Sequence, residues 1–192
     1  YFKYKMNLQK NISFIVFAIF FIILSIGLFT DTKKIQSPLI NKKLPEIVLP
    51  DLKSQNMISH NFLPKETFLL NVWASWCQAC IVEHEKIKNL SNKGIKIVGV
   101  NYKDQREDAI GWLSIYGNPY LFSYSDKEGR LGLELGVYGV PETFIIGEDG
   151  IIKDKIVGPI TDEIINKRID PLFTKNNDCL LYTSPSPRDG IG

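Results

Sequence analysis

The sequence predicts an α/β fold in which a sheet with parallel central strands packs against helices, and three observations carry that prediction. Residues 67–74 (TFLLNVWA) form a continuous β-prone run, and residues 95–102 (IKIVGVNY) form the next one, as expected of strands buried on both faces. Each is followed by a segment of helical periodicity, and strands joined through helices must run parallel. Two later β-prone runs, residues 143–146 and 151–157, are joined through Asp149-Gly150, a strong hairpin signal.

Taken in order, the chain starts with Lys3, Lys5 and Lys10 ahead of an uncharged stretch, residues 12–29 (ISFIVFAIFFIILSIGLF). This predicts a cytoplasmic segment 1–11 followed by a transmembrane signal anchor, retained because no small-residue cleavage site follows. A buried core helix would show a polar face, which this segment lacks. Lys33, Lys34, Lys42 and Lys43 after the span blur the charge asymmetry that sets orientation. An anchor that exports the body places its cysteines in an oxidising compartment.

Residues 30–45, polar and Lys-rich with Pro38 and Pro45, read as a tether, and a domain is expected over 46–175. Its first runs, PEIVLPDL and NMISHNF, predict an N-terminal β-hairpin. The 67–74 strand leads into a helix over 78–92, with apolar Ile81, Ile87 and Leu90 and a stop at Asn92-Lys93-Gly94. After the 95–102 strand a helix is expected over 104–116, with Asp104 as N-cap and Gly117-Asn118-Pro119 ending it. A short strand near 120–123, a helical turn near 131–135, the hairpin strands and a closing helix over 162–173 complete the order β-α-β-α-β-β-α. That order is thioredoxin-like. Residues 179–192 (CLLYTSPSPRDGIG) read as the translation of a sequencing adapter, and Met6 is the expected start.

With 44% hydrophobic and 23% charged residues among 192, one globular domain plus extras is expected rather than disorder. The basic residues behind the net charge of +2 are scattered, so a nucleic-acid partner is not expected.

Chemistry concentrates in Trp76-Cys77-Gln78-Ala79-Cys80. Cys77 falls where a strand hands over to a helix, and free N–H groups at a helix start favour the thiolate, the reactive form. Cys80, one turn on, is placed to resolve a mixed disulfide. Trp73 and Trp76 are expected to give a flat apolar docking surface. The spacing also admits a zinc half-site or a structural staple. Zinc needs four ligands, however, and beyond the pair there are only His60, His84 and Cys179; a four-residue loop restrains little of the unfolded chain. Glu83, one turn beyond Cys80, could accept the Cys80 proton, although on spacing alone a solvated helix glutamate is the commoner outcome. His84 is expected on the surface. Pro141, directly before a strand, is on composition an ordinary trans turn proline; a cis bond would free the Val140 backbone to pair with an extended substrate.

The runs LLNVWASWCQAC, VGVNYKD, GNPY and LGVYGVPETF, in this order and spacing, resemble the CcmG family of cytochrome c maturation, also called DsbE. The resemblance spans about residues 37–172. It implies a thioredoxin-like, periplasmic thiol:disulfide oxidoreductase held on the inner membrane by a single-pass anchor. It implies that electrons pass from a membrane thiol reductase of the DsbD/CcdA type to the haem-attachment cysteines of apocytochrome c, or to a maturation partner that holds them. By position, Cys77 and Cys80 become the redox pair, Glu83 the acidic residue beside it and Pro141 the cis-proline; with the residue reading above, the expected substrate contacts are Trp76, Val140 and Pro141, and no metal or other cofactor is expected. Gln78 and Ala79 stand where the family often has a proline. The alternatives are a related anchored reductase with other exported clients and, from a different class, a non-catalytic metal- or haem-handling module.

Overall fold

The computed structural model describes residues 12, 14–25 and 38–174. Its two units are residues 1–35 and 36–192. In the first, residues 14–25 form helix α1, whose apolar side chains are exposed, with Phe17 and Phe21 in ring contact at 4.8 Å. Among the described residues no helix is long and apolar enough to cross a membrane. The expected anchor 12–29 lies partly outside the described residues, as does half of the tether, and the 1–11 segment and residues 179–192 lie wholly outside them.

The second unit holds the β-hairpin, β1 (Val48–Pro50) paired with β2 (Met57–Ser59), and a five-stranded sheet. The sheet strands are β3 (Phe68–Trp73), β4 (Ile97–Tyr102), β5 (Ser123–Asp126), β6 (Glu142–Ile146) and β7 (Ile152–Val157), in spatial order β5-β4-β3-β6-β7. Helix α2 (Gln78–Asn92) joins β3 to β4, and α3 (Arg106–Tyr116) joins β4 to β5. Both connections step outward in the same direction between parallel strands. Right-handed crossovers then put both helices on one face. The C-terminal helix joins them as α5 (Asp162–Ile164), a wider π turn (Ile165–Ile169) and α6 (Asp170–Thr174). Pro171, which has no N–H for the ladder, stands two residues past the wide turn's end at Ile169.

Two cores result. Leu69 and Trp73 of β3 face the helices with Cys80, Ile87, Leu90, Trp112 and Ile169, while Phe68, Leu70 and Val72 face the hairpin side with Phe144, Ile152 and α4 (Arg130–Glu134) through Leu131. Gly99 of β4 must be bare, because a Cβ there would stand 2.3 Å from Ser123 Oγ and 3.0 Å from Trp73 Nε1.

Three expectations are corrected. Asp104 does not cap α3, since its carboxylate is occupied elsewhere; the helix starts after Gln105, with Glu107 and Asp108 in the first turn to meet its dipole. The β5 strand starts at Ser123 rather than near residue 120, because Tyr120 is drawn into the core to bond Asn71. Trp73 is no docking surface; it is 1% exposed and stacked on Tyr120 at 5.6 Å. Where helices connect the strands, β3 to β4 and β4 to β5, the pairing is parallel as expected; past β5 the chain reverses, and β6 runs antiparallel to β3.

Candidate active site

That reversal brings two loops together. The β3–β6 register pairs Val72 with Glu142, so Pro141 lies one step beyond, level with Trp73 at the strand end that leads to Cys77. The Val140–Pro141 bond is cis, Pro141 is buried, and Val140 packs against the cluster that contains Cys77 and Cys80.

Cys77 is the N-cap of α2, in extended conformation, and its Sγ accepts the Cys80 N–H at 3.0 Å. A thiolate placed there would receive the same donor and the positive end of the helix dipole. The two cysteines, with Cα atoms 5.3 Å apart, are joined as a disulfide and are 5% and 2% exposed. Cys77 is nearly covered while bonded, because it packs into the helix-side core.

The loop before the pair is pinned from β4. Asp104 Oδ2 accepts from the Ser75 N–H at 2.6 Å and from Asn101 Nδ2 at 2.8 Å, and its Oδ1 accepts from Ser75 Oγ at 2.8 Å and the Gln105 N–H at 2.9 Å. Trp76, 56% exposed beside the pair, donates its indole N–H to the Lys103 carbonyl at 3.0 Å. Lys103 takes a left-handed φ of 48°, which makes the turn. The opposite loop is clamped too. Lys155 Nζ donates to the Gly136 carbonyl at 2.6 Å and sits 2.9 Å from Glu142 Oε2 as an ion pair, while the Tyr138 N–H donates to Glu142 Oε1 at 3.1 Å.

Glu83 is 1% exposed, on the stripe Cys80–Glu83–Ile87–Leu90 that α2 turns to the sheet. Its Oε1 accepts from Asn71 Nδ2 and its Oε2 from the Ile160 N–H, each at 2.9 Å. Burial pushes its pKa up from 4.5 to about 7, against the lowering effect of these two neutral donors. The solvated glutamate that spacing alone favours is therefore not what is found. His84 is likewise no surface residue. It is 4% exposed, donates Nε2 to the Gly117 carbonyl at 3.0 Å and meets Trp112 edge-on; burial lowers its pKa below 6.5. A signal for it existed in the sequence, since residue 84 lies four beyond Cys80 and three before Ile87, on the same stripe.

Sequence reasoning also missed Asn71, Asp104, Tyr120 and the Glu142–Lys155 pair. Asn71 alone announced itself, as an amide inside an otherwise apolar central strand that must find partners. The others depend on long-range pairing that no local pattern encodes.

The Redoxin family model matches residues 39–169. The chain is 44% identical to the thiol:disulfide interchange protein DsbE of Vibrio cholerae over 146 residues, covering 76% of this chain and 79% of that protein. It is 42% identical to the DsbE of Escherichia coli K12 over 147 residues, covering 76% and 80%. Among solved structures, a putative thiol:disulfide interchange protein DsbE from Chlorobium tepidum superposes with a TM-score of 0.58 at 21% identity, over 71% of this chain and 96% of that one, which speaks for the fold.

Proposed function

Because the chain belongs to the Redoxin family and, within it, to the DsbE (CcmG) thiol:disulfide interchange proteins, we propose that it is the tethered dithiol reductant of cytochrome c assembly. The general activity is thiol:disulfide oxidoreduction by the protein's own cysteines, without an external cofactor. The observation that carries the assignment of roles is Cys77 at the helix N-cap with its Sγ on the Cys80 N–H, facing a loop that presents Val140 and Pro141.

In the reducing direction, the Cys77 thiolate attacks one sulfur of a client disulfide and releases the other as a thiolate. Cys80, having given its proton to Glu83, then attacks Cys77 Sγ. The Cys77–Cys80 disulfide forms, the second client sulfur leaves, and two electrons have passed to the client. Glu83 supports this direction, because a carboxylate beside the pair disfavours thiolate and leaves the reduced form poorly stabilised. Trp76 and the Val140 backbone form the walls between which an extended client chain docks.

The client is apocytochrome c at its haem-attachment cysteines, or a maturation partner holding them. The donor is a membrane thiol reductase of the DsbD/CcdA type. Residues 12–29 anchor the protein in the inner membrane, 30–45 tether it, and the 46–175 domain works in the periplasm. Trapping tests the reading: Cys80→Ser expressed in its own envelope should accumulate mixed disulfides with cytochrome c haem-attachment cysteines through Cys77. Equal trapping by Cys77→Ser, or clients drawn only from unrelated exported proteins, would overturn it.

A further inference from the structure

Behind Glu83 lies a chain of buried side chains that the exchange steps above do not use. Tyr120 Oη donates to Asn71 Oδ1 at 2.8 Å, and Asn71 Nδ2 donates to Glu83 Oε1 at 2.9 Å and to Thr143 Oγ1 at 3.0 Å. The links come from the loop before β5, from β3, from α2 and from β6, and all four side chains are buried. A buried amide in an apolar strand has to be paired on both edges, and here three side chains pair it.

An amide is polar in two senses, donating from one edge and accepting at the other. With Nδ2 toward Glu83 it suits the carboxylate; with Oδ1 toward Glu83 it suits only the protonated acid. The other neighbour makes the choice. Tyr120 Oη donates to Oδ1, which leaves both amide hydrogens for Glu83 and Thr143; burial, with the charge of Glu83 added, pushes the phenol well above its ordinary value, so that O–H stays in place to donate. Thr143 takes the second amide hydrogen.

We infer that Tyr120 and Asn71 are positioning residues for exchange, which together hold the amide so that Glu83 is favoured as the ionised acceptor of the Cys80 proton. The inference rests on the role given to Glu83 above. Around Glu83 are Asn71 from β3 and the Ile160 N–H, both bonded to it, and through Asn71 Thr143 from β6 and Tyr120 from the loop before β5, while Cys80 stands one turn earlier on its own helix. Of the groups that other elements contribute, only Tyr120 titrates. His84 is turned to Gly117, and the charged Glu142–Lys155 pair lies over Phe144 on the other face.

Tyr120→Phe keeps the ring on Trp73 and removes the hydroxyl that orients the amide. The test follows the Glu83 side-chain carboxyl by carbon-13 NMR against pH in the full chain, together with the pH dependence of exchange with a disulfide peptide. The Glu83 midpoint should rise by about one unit, and the exchange midpoint should move with it. Asn71→Leu, which deletes the donor itself, should move both at least as far and carries the test if Tyr120→Phe folds poorly. A Glu83 midpoint unchanged in either variant overturns the inference and leaves the exchange reading standing. A Glu83 midpoint that moves while the exchange profile does not overturns the role of Glu83 in exchange, and the inference with it.

Discussion

Glu83 and Glu142 are each 1% exposed, on opposite faces of one sheet, and they have opposite company. Glu142 faces the Lys155 ammonium at 2.9 Å, and that ammonium also lies over the Tyr138 and Phe144 rings. Among the described residues, Glu83 has an amide and a backbone N–H as its partners. A buried carboxylate with a cation beside it works as a fastener, here for the 136–142 loop. One given only neutral donors pays for its burial with a raised pKa and can exchange a proton near neutral pH. The molecule thus spends one carboxylate on geometry and keeps the other for chemistry.

The largest expected effect is on the fastener. Lys155→Met leaves Glu142 buried without its cation, and chemical denaturation at neutral pH should show a loss of about 3–5 kcal/mol. Replacing both partners, Glu142→Gln with Lys155→Met, should recover much of that loss. A single-variant loss under about 1 kcal/mol would mean that the pair is not a fastener, and the contrast between the two carboxylates would fail.

Next comes the pH dependence of stability. The folded pKa of Glu83, about 7, lies above its ordinary 4.5, so between those values the folded protein holds the extra proton. Stability from this group is therefore greatest below 4.5, falls as pH rises through the window, and levels off above about 7, a total of about 3 kcal/mol. His84, held below 6.5, acts with the opposite sign, destabilising the fold as pH falls. Glu83→Gln cancels only the first effect. Relative to the wild type, its stability should improve by about 3 kcal/mol between pH 4.5 and pH 8; parallel curves for the two proteins would show that Glu83 does not titrate in this window.

The comparison also marks where sequence reading stops. The strands over 68–73 and 97–102, the helix 78–92 and the Asp149-Gly150 hairpin were legible because each is set by local periodicity or turn chemistry. The cysteine pair was legible for the same reason, since a strand-to-helix junction fixes where Cys77 sits. Glu83 and His84 were read as more exposed than they are, because α2 is covered on both flanks, by α3 and by the C-terminal helix, and its buried stripe is wider than its apolar residues suggest. Asp104 looked like a cap because Asp before a helix usually is one; beside its local partner Asn101 it holds Ser75, which arrives only when β3 and β4 pair. Glu142 and Lys155 are thirteen residues apart, and only the β6–β7 register makes them neighbours.

The measurement closest to the central claim is the pH profile of the resolving step. A mixed disulfide formed on Cys77 is mixed rapidly into buffers across the neutral range, and the rate at which Cys80 displaces the client thiol is followed in the wild type and in Glu83→Gln. If Glu83 takes the Cys80 proton, the wild-type rate inflects near the Glu83 pKa of about 7, and the variant is slower and lacks that inflection. An inflection at the same pH and of the same height in Glu83→Gln would contradict the account.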